Sequence, residues 1–164
     1  MYTLQVSKAH AFLAFVARLC MSCIFLVSAF LKMMHWPDYA VMMANHGLPA
    51  VPALLSVAII IELVCGLMLL TGVMARFGSL LLILYLIPVT FVMHNIWTVP
   101  PDQVMTQLIN MFKNLAIMGG LFMVSAFGPG PLIIQEKWGQ VVKEDQKSTD
   151  SGSKQSPSGL AGVT

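Results

Sequence analysis

The chain has 164 residues, of which 57% are hydrophobic and 10% are Asp, Glu, Lys or Arg, with a formal net charge of +2. Soluble domains carry about 25% charged residues, so a chain with a mean hydropathy of +0.80 is too poor in charge to coat a soluble surface, grip nucleic acid or stay disordered. The composition is that of an integral membrane protein whose first partner is the lipid bilayer.

Four apolar stretches organise the chain, each close to the ~20 residues that cross a bilayer core as a helix. The first covers residues 9–31 and is interrupted by Arg18. Lys8 before it and Val27-Ser28-Ala29 within it have some look of a signal peptide, but Arg18 inside the run and Lys32 just behind it argue against cleavage. Residues 35–52 are too polar to span. Apolar residues at helical spacing around Tyr39, Val41, Met42 and Met43, opened by Pro37 and closed by Gly47, predict a short interfacial helix. The second stretch, about residues 53–70, contains Glu62 as its one charge, and the third, residues 77–93, has none. Pro88 should kink the third helix by freeing the Leu84 carbonyl. The fourth, about residues 105–127, is interrupted by Lys113. Only helices satisfy their backbone polar groups within one segment in lipid. The expected fold is therefore an all-α, four-transmembrane-helix bundle with a short interfacial helix between helices 1 and 2. Residues 1–134 form this membrane domain. Residues 135–164, rich in Ser and charge, are expected to be a flexible polar tail.

Positive residues set the orientation. Lys8, Arg76 at the helix 2–3 turn, and Lys137, Lys143 and Lys147 after helix 4 all fall on one side, which predicts both termini in the cytoplasm. Trp36 and Trp97 would mark the opposite interface.

Arg18, Glu62 and Lys113 each cost about 2.5–3.5 kcal/mol on insertion scales for a central charge. Counted from the cytoplasmic ends of their helices, Arg18 and Glu62 both lie about 13 Å deep, and Tyr85 reaches a similar level. An Arg18–Glu62 pair is expected. It either fixes helix register or belongs to a proton or ligand site. Two cations then face one anion, so Lys113 is neutral or an anionic or carbonyl-bearing ligand completes the site. Small and polar residues mark the inward faces: Arg18, Ser22, Ala29 and Lys32 on helix 1; Ala58, Glu62 and Gly66 on helix 2; Thr106, Asn110, Lys113 and Gly120 on helix 4, with Asn114 at its flank.

His94 ends helix 3 beside Thr90, Asn95 and Trp97. With His35 and His46 it has no recognised metal spacing, so no metal site is expected and a capping role is favoured. Cys20 and Cys23 form a CxxC, the spacing of thiol-exchange enzymes, but apolar surroundings suppress the thiolate; small residues filling a helix interface are the preferred reading. Cys65 carries no assigned role.

The ordered set of residues resembles the DoxX family of small bacterial four-helix membrane proteins. The pattern runs through Arg18-Leu19, Phe25 and Phe30-Leu31-Lys32, then Gly47-Leu48-Pro49, Glu62 and Gly66, Thr71-Gly72 and Arg76, His94 and Trp97, Phe112-Lys113-Asn114-Leu115-Ala116, Gly119-Gly120 and Gly128-Pro129-Gly130. It covers about residues 11–131; the CxxC is not part of it. The resemblance implies a multi-pass protein of the bacterial inner membrane. The family takes its name from a subunit associated with thiosulfate:quinone oxidoreductase, and it assigns no agreed catalytic roles to Arg18, Lys32, Glu62, Arg76, His94, Lys113 or Asn114.

Two classes of function stay open, and whether the chain is an enzyme is undecided. One is a redox-associated membrane subunit in which a quinone or quinol hydrogen-bonds Lys113, Asn114, Tyr85 or His94, with Glu62 handling protons. The chain has no haem, flavin or iron–sulfur motif, so electrons would have to come from a redox partner protein. The other is a non-catalytic anchor or accessory subunit that stabilises partner proteins. A small transporter, which would need a homo-oligomer, ranks behind both. Asn110 joins Arg18, Glu62, Tyr85, Lys113, Asn114 and His94 among the candidates for a buried polar network or ligand site.

Overall fold

A computed structural model of the chain describes residues 8–97 and 99–130. The expected domain boundary at residue 134 and the polar tail of residues 135–164 fall outside them. Five helices follow one another: α1 (Lys8–Met34), α2 (Trp36–Asn45), α3 (Val51–Thr71), α4 (Ala75–Met93) and α5 (Pro101–Phe127). Four of them, all but α2, are long and apolar enough to cross a membrane. The integral membrane fold expected from composition, with its short extra helix between the first two spans, is therefore present.

Local chemistry sets the ends. Pro37, Pro52 and Pro101 stand in the first turns of α2, α3 and α5, where a missing N–H costs nothing. Gly72 closes α3 at φ +78°, a conformation open to glycine without a Cβ penalty, and its N–H reaches the Met68 carbonyl at 3.0 Å. α4 runs through Pro88 without a break.

The spanning helices pack in chain order: α1 lies along α3, α3 on α4 and α4 on α5. α1 and α5 meet only narrowly, with Met21 lying against Gly120. The main core joins Phe25, Cys65, Leu69, Leu82, Leu86 and Leu121. A second cluster, Ala29, Leu55 and Ile59, is covered by Trp36, Tyr39, Ala40 and Met43, so α2 caps the bundle at the end opposite the start of α1 and the end of α5. The outer surface shows Val27, Phe30, Ile60, Leu84, Phe91 and Phe122, the apolar skin that a bilayer must cover.

The buried faces of α1 and α3 match expectation: Arg18, Ser22 and Ala29 on α1, and Ala58, Glu62 and Gly66 on α3, are all buried. The face of α5 is turned by one residue, about 100°. Asn114 and Leu121 are its buried positions, while Thr106 and Lys113 are exposed. The reason is that α5 packs chiefly on α4, which leaves Lys113 and Gly120 on the edge nearer α1.

The seam between α1 and α3 depends on Gly66. A Cβ there would lie 3.0 Å from Leu26 Cδ2 and 3.1 Å from Leu26 Cγ, whereas Gly119 has nothing within 4 Å. Gly66→Val should destabilise the protein by about 1–3 kcal/mol, as overpacking does. Gly119→Ala should be neutral or stabilising by up to about 1 kcal/mol from helix propensity. Thermal unfolding in detergent separates the two, and equal behaviour would contradict the close approach at Gly66.

Candidate functional site

The register of α1 against α3 decides which charges meet. Gly66 abuts Phe25 and Leu26 on an antiparallel neighbour. Lys32 then stands level with about residue 60, and Arg18 level with about residue 74, past the end of α3. Helical Cα–Cβ bonds tilt toward the N-terminus, so on antiparallel helices the Lys32 and Glu62 side chains lean toward each other. Lys32 Nζ donates to both Glu62 oxygens at 2.8 Å and to Ser28 Oγ at 2.5 Å. The Tyr85 hydroxyl donates to Glu62 Oε1, also at 2.8 Å. The expected Arg18–Glu62 pair is thus replaced by Lys32–Glu62. Arg18 sits roughly 17 Å from the Glu62 level along the axis, buried near the terminal end, where it makes a polar interaction of its own.

The ion pair is well sheltered: the Lys32 and Glu62 side chains are 14% and 5% exposed. All three ammonium hydrogens have acceptors, and the Tyr39 ring lies beneath the charge at 5.6 Å. A buried pair survives in a low-dielectric setting only when its remaining hydrogen-bonding capacity is met, and Ser28 and Tyr85 meet it here.

Above this group, toward α2, lies a cavity of about 600 Å³ among α1, α3, α4 and α5 with α2 across it. Its lining is mainly apolar, including Phe25, Leu31, Met43, Leu55, Leu86 and Ile117. Its polar groups are the Lys32, Glu62 and Tyr85 cluster, from α1, α3 and α4, and Lys113 and Asn114, both from α5, with His94 also in the lining. Two polar rungs fasten α4 to α5 here. The Asn114 side-chain amide donates to Thr90 Oγ1 at 3.1 Å, and the His94 ring hydrogen-bonds Gln107 Oε1 at 3.0 Å. Lys113 Nζ donates to Asn110 Oδ1 at 3.0 Å, and among the described residues no carboxylate lies within ion-pair distance of it.

Of the sequence candidates, Glu62, Tyr85, Lys113, Asn114 and His94 line one cavity, Asn110 holds Lys113 from behind, and Arg18 lies elsewhere. Lys32, Ser28 and Tyr39 were not among the candidates. The signal for Lys32 was its place on the same face of α1 as Arg18 and Ser22. The count of two cations to one anion survives, with Lys32 standing in for Arg18. Outside the cavity, Cys20 and Cys23 are free thiols exposed on the outer surface of α1, and Cys65 is buried in the core, also unbridged. That outward placement corrects the expectation that they fill a helix interface. His46, as a helix-end histidine, hydrogen-bonds the Met42 carbonyl at 2.8 Å.

Glu62→Gln should strand the Lys32 ammonium. Removing one partner of a buried pair costs roughly 3–5 kcal/mol in a soluble interior, less where water follows the charge into lipid. Lys32→Gln combined with Glu62→Gln should recover much of that loss in detergent melting experiments. Arg18→Gln combined with Glu62→Gln should not. Recovery by the Arg18 combination alone would restore the pairing that the register excludes.

Comparison with known proteins agrees with the resemblance drawn from the residues. The family model described as DoxX matches residues 13–95, a span that holds Lys32, Glu62, Tyr85 and His94. Inner membrane protein YphA of Escherichia coli is 26% identical over 129 residues, 79% of this chain and 92% of that protein. No solved structure matches. With half of its length matched by the family model and its four spanning helices in place, the chain is an integral membrane protein of the DoxX family.

Proposed function

We propose that this protein is a redox-associated subunit of the bacterial inner membrane that holds a quinone or quinol in the cavity beneath α2. The observation that carries the reading is the cavity itself. About 600 Å³ falls within the range of small-molecule pockets, and the mainly apolar walls with a few convergent polar groups have the character of such sites. The spanning helices place it within reach of a lipid-soluble guest. The name of the Escherichia coli relative, an inner membrane protein, supports the inner membrane, and the distribution of Lys and Arg supports cytoplasmic termini.

In this role the chain binds and orients, while a partner protein supplies the electrons. The guest's ring packs among Phe25, Leu86 and Ile117, and its oxygens meet the polar groups at either side. Lys113 is central because its ammonium is held by an amide, not by a carboxylate, and so keeps hydrogen-bonding capacity for a guest oxygen.

Two measurements test this. Organic extraction of gently purified protein, followed by mass analysis, should recover a quinone in amounts that fall several-fold in Lys113→Gln; a quinone-free extract from folded protein would remove the reading. Reporter fusions at residue 164 and after Arg76 should report cytoplasm, and fusions near Asn45 and Pro100 the opposite side. A C-terminal reporter on the outer side would reverse the orientation.

A further inference from the structure

The hydrogen-bonding capacity of the cavity is unequal from one side to the other. On the α3 side the donors are spent: Lys32 uses all three N–H groups on Ser28 and Glu62, and the Tyr85 hydroxyl hydrogen is given to Glu62. The Ser28 and Tyr39 hydroxyl hydrogens aside, that wall offers a guest lone pairs, on the Glu62 carboxylate and the Tyr85 oxygen. On α5 the balance is reversed. Lys113 gives one N–H to Asn110 and retains two, and Asn114 gives one amide hydrogen to Thr90 and retains one. α4 stands between α3 and α5 in the order of packing, so Glu62 and Lys113 reach the same cavity from helices that are not main neighbours. Charge follows the same polarity. Lys32 and Glu62 offset each other, and Lys113 leaves the cavity with one net positive charge.

The geometry points to a site that prefers the reduced guest, a hydroquinone, over the oxidised quinone, with one hydroxyl donating to the Glu62–Tyr85 wall and the other oxygen accepting from Lys113. An oxidised quinone carries two acceptor carbonyls and no donor. Seated across this cavity, one carbonyl meets Lys113 well, but the other meets the lone pairs of a carboxylate and a phenol. A hydroquinone has an O–H for that wall and an oxygen for the other, and any anionic character on the latter is stabilised by Lys113. A hydrogen bond to a charged group is the difference between the two forms, which corresponds to about tenfold or more in affinity. This inference rests on the quinone reading above, since it concerns the form taken by the same site.

The test is equilibrium binding to the full-length protein in lipid nanodiscs under anaerobic conditions. The probe is a short-chain ubiquinone analogue, presented oxidised or chemically reduced, and measured by calorimetry. The reduced probe should bind about tenfold or more tightly than the oxidised one. Lys32→Gln combined with Glu62→Gln, which puts amide donors on that wall, should cut the ratio to below about threefold, whereas Lys113→Gln should weaken both forms and leave the ratio in place. Thermal unfolding confirms that these variants are folded, as the exposed edge position of Lys113 and the recovery predicted for the paired Gln substitutions lead one to expect. Equal binding of the two forms, or tighter binding of the oxidised form, would overturn this inference and leave the quinone reading standing. An unchanged ratio in the Lys32→Gln, Glu62→Gln double variant would overturn the part assigned to Glu62. Binding of neither form would overturn both.

Discussion

A carboxylate in the apolar interior of a membrane bundle must be neutralised within a few ångströms, and here Lys32 does it for Glu62. The rest of the site follows from that pairing. The ammonium is drawn back from the end of α1 to lie over the Tyr39 ring of α2, and Ser28 takes the hydrogen that Glu62 cannot. Tyr85 brings α4 into the same group. Three spanning helices are thus fixed in register by one four-residue cluster. The contribution is to specificity more than to stability, since a well-packed apolar replacement would hold the helices together about as firmly.

With Glu62 committed to Lys32, the other intramembrane lysine is left in a different state. Lys113 sits at the edge of α5 that α4 does not cover and has an amide for its partner. Asn114, the next residue in sequence, points into the contact with α4 and bonds Thr90, whose own hydroxyl donates back to the Leu86 carbonyl at 2.6 Å. Adjacent residues about 100° apart around one helix therefore do different jobs in the same lining: Asn114 fastens α5 to α4, and Lys113 stands at the edge that α4 leaves open.

The helices were legible in the sequence because apolar runs near twenty residues admit one solution in lipid, and Pro and Gly punctuate their ends. The short helix α2 was legible for the same local reasons, with Pro37 at its start and Gly47 just beyond its end. The pairing of charges was not. Depth was counted from the ends of the apolar runs, as if α1 and α3 began and ended at one level. α1 in fact has 27 residues and α3 has 21, and the close approach at Gly66 slides α1 past the end of α3 at the terminal side. That slide carries Arg18 away from Glu62 and brings Lys32 to it. Register between two apolar helices is set by which small residue admits which neighbour, a property of the pair that neither segment contains alone. The face of α5 failed for a related reason. Its polar stripe was assumed to point at the bundle axis, but α5 has essentially one full neighbour, and its buried line turned toward that neighbour.

The chain-ordered packing also bears on how the bundle comes together and where it yields. Each spanning helix after the first packs on the span before it, so α3, α4 and α5 can each be laid onto a surface already present as they leave the insertion machinery. Little long-range search is needed, which favours rapid assembly. The ring closes where Met21 meets Gly120, across a contact far narrower than those of α1 with α3, α3 with α4 and α4 with α5. A joint with few packed atoms is the one that thermal motion parts at the lowest cost. The bundle is therefore a wrapped strip with one weak edge, and that edge runs beside Lys113, where a molecule dissolved in the bilayer would meet it first.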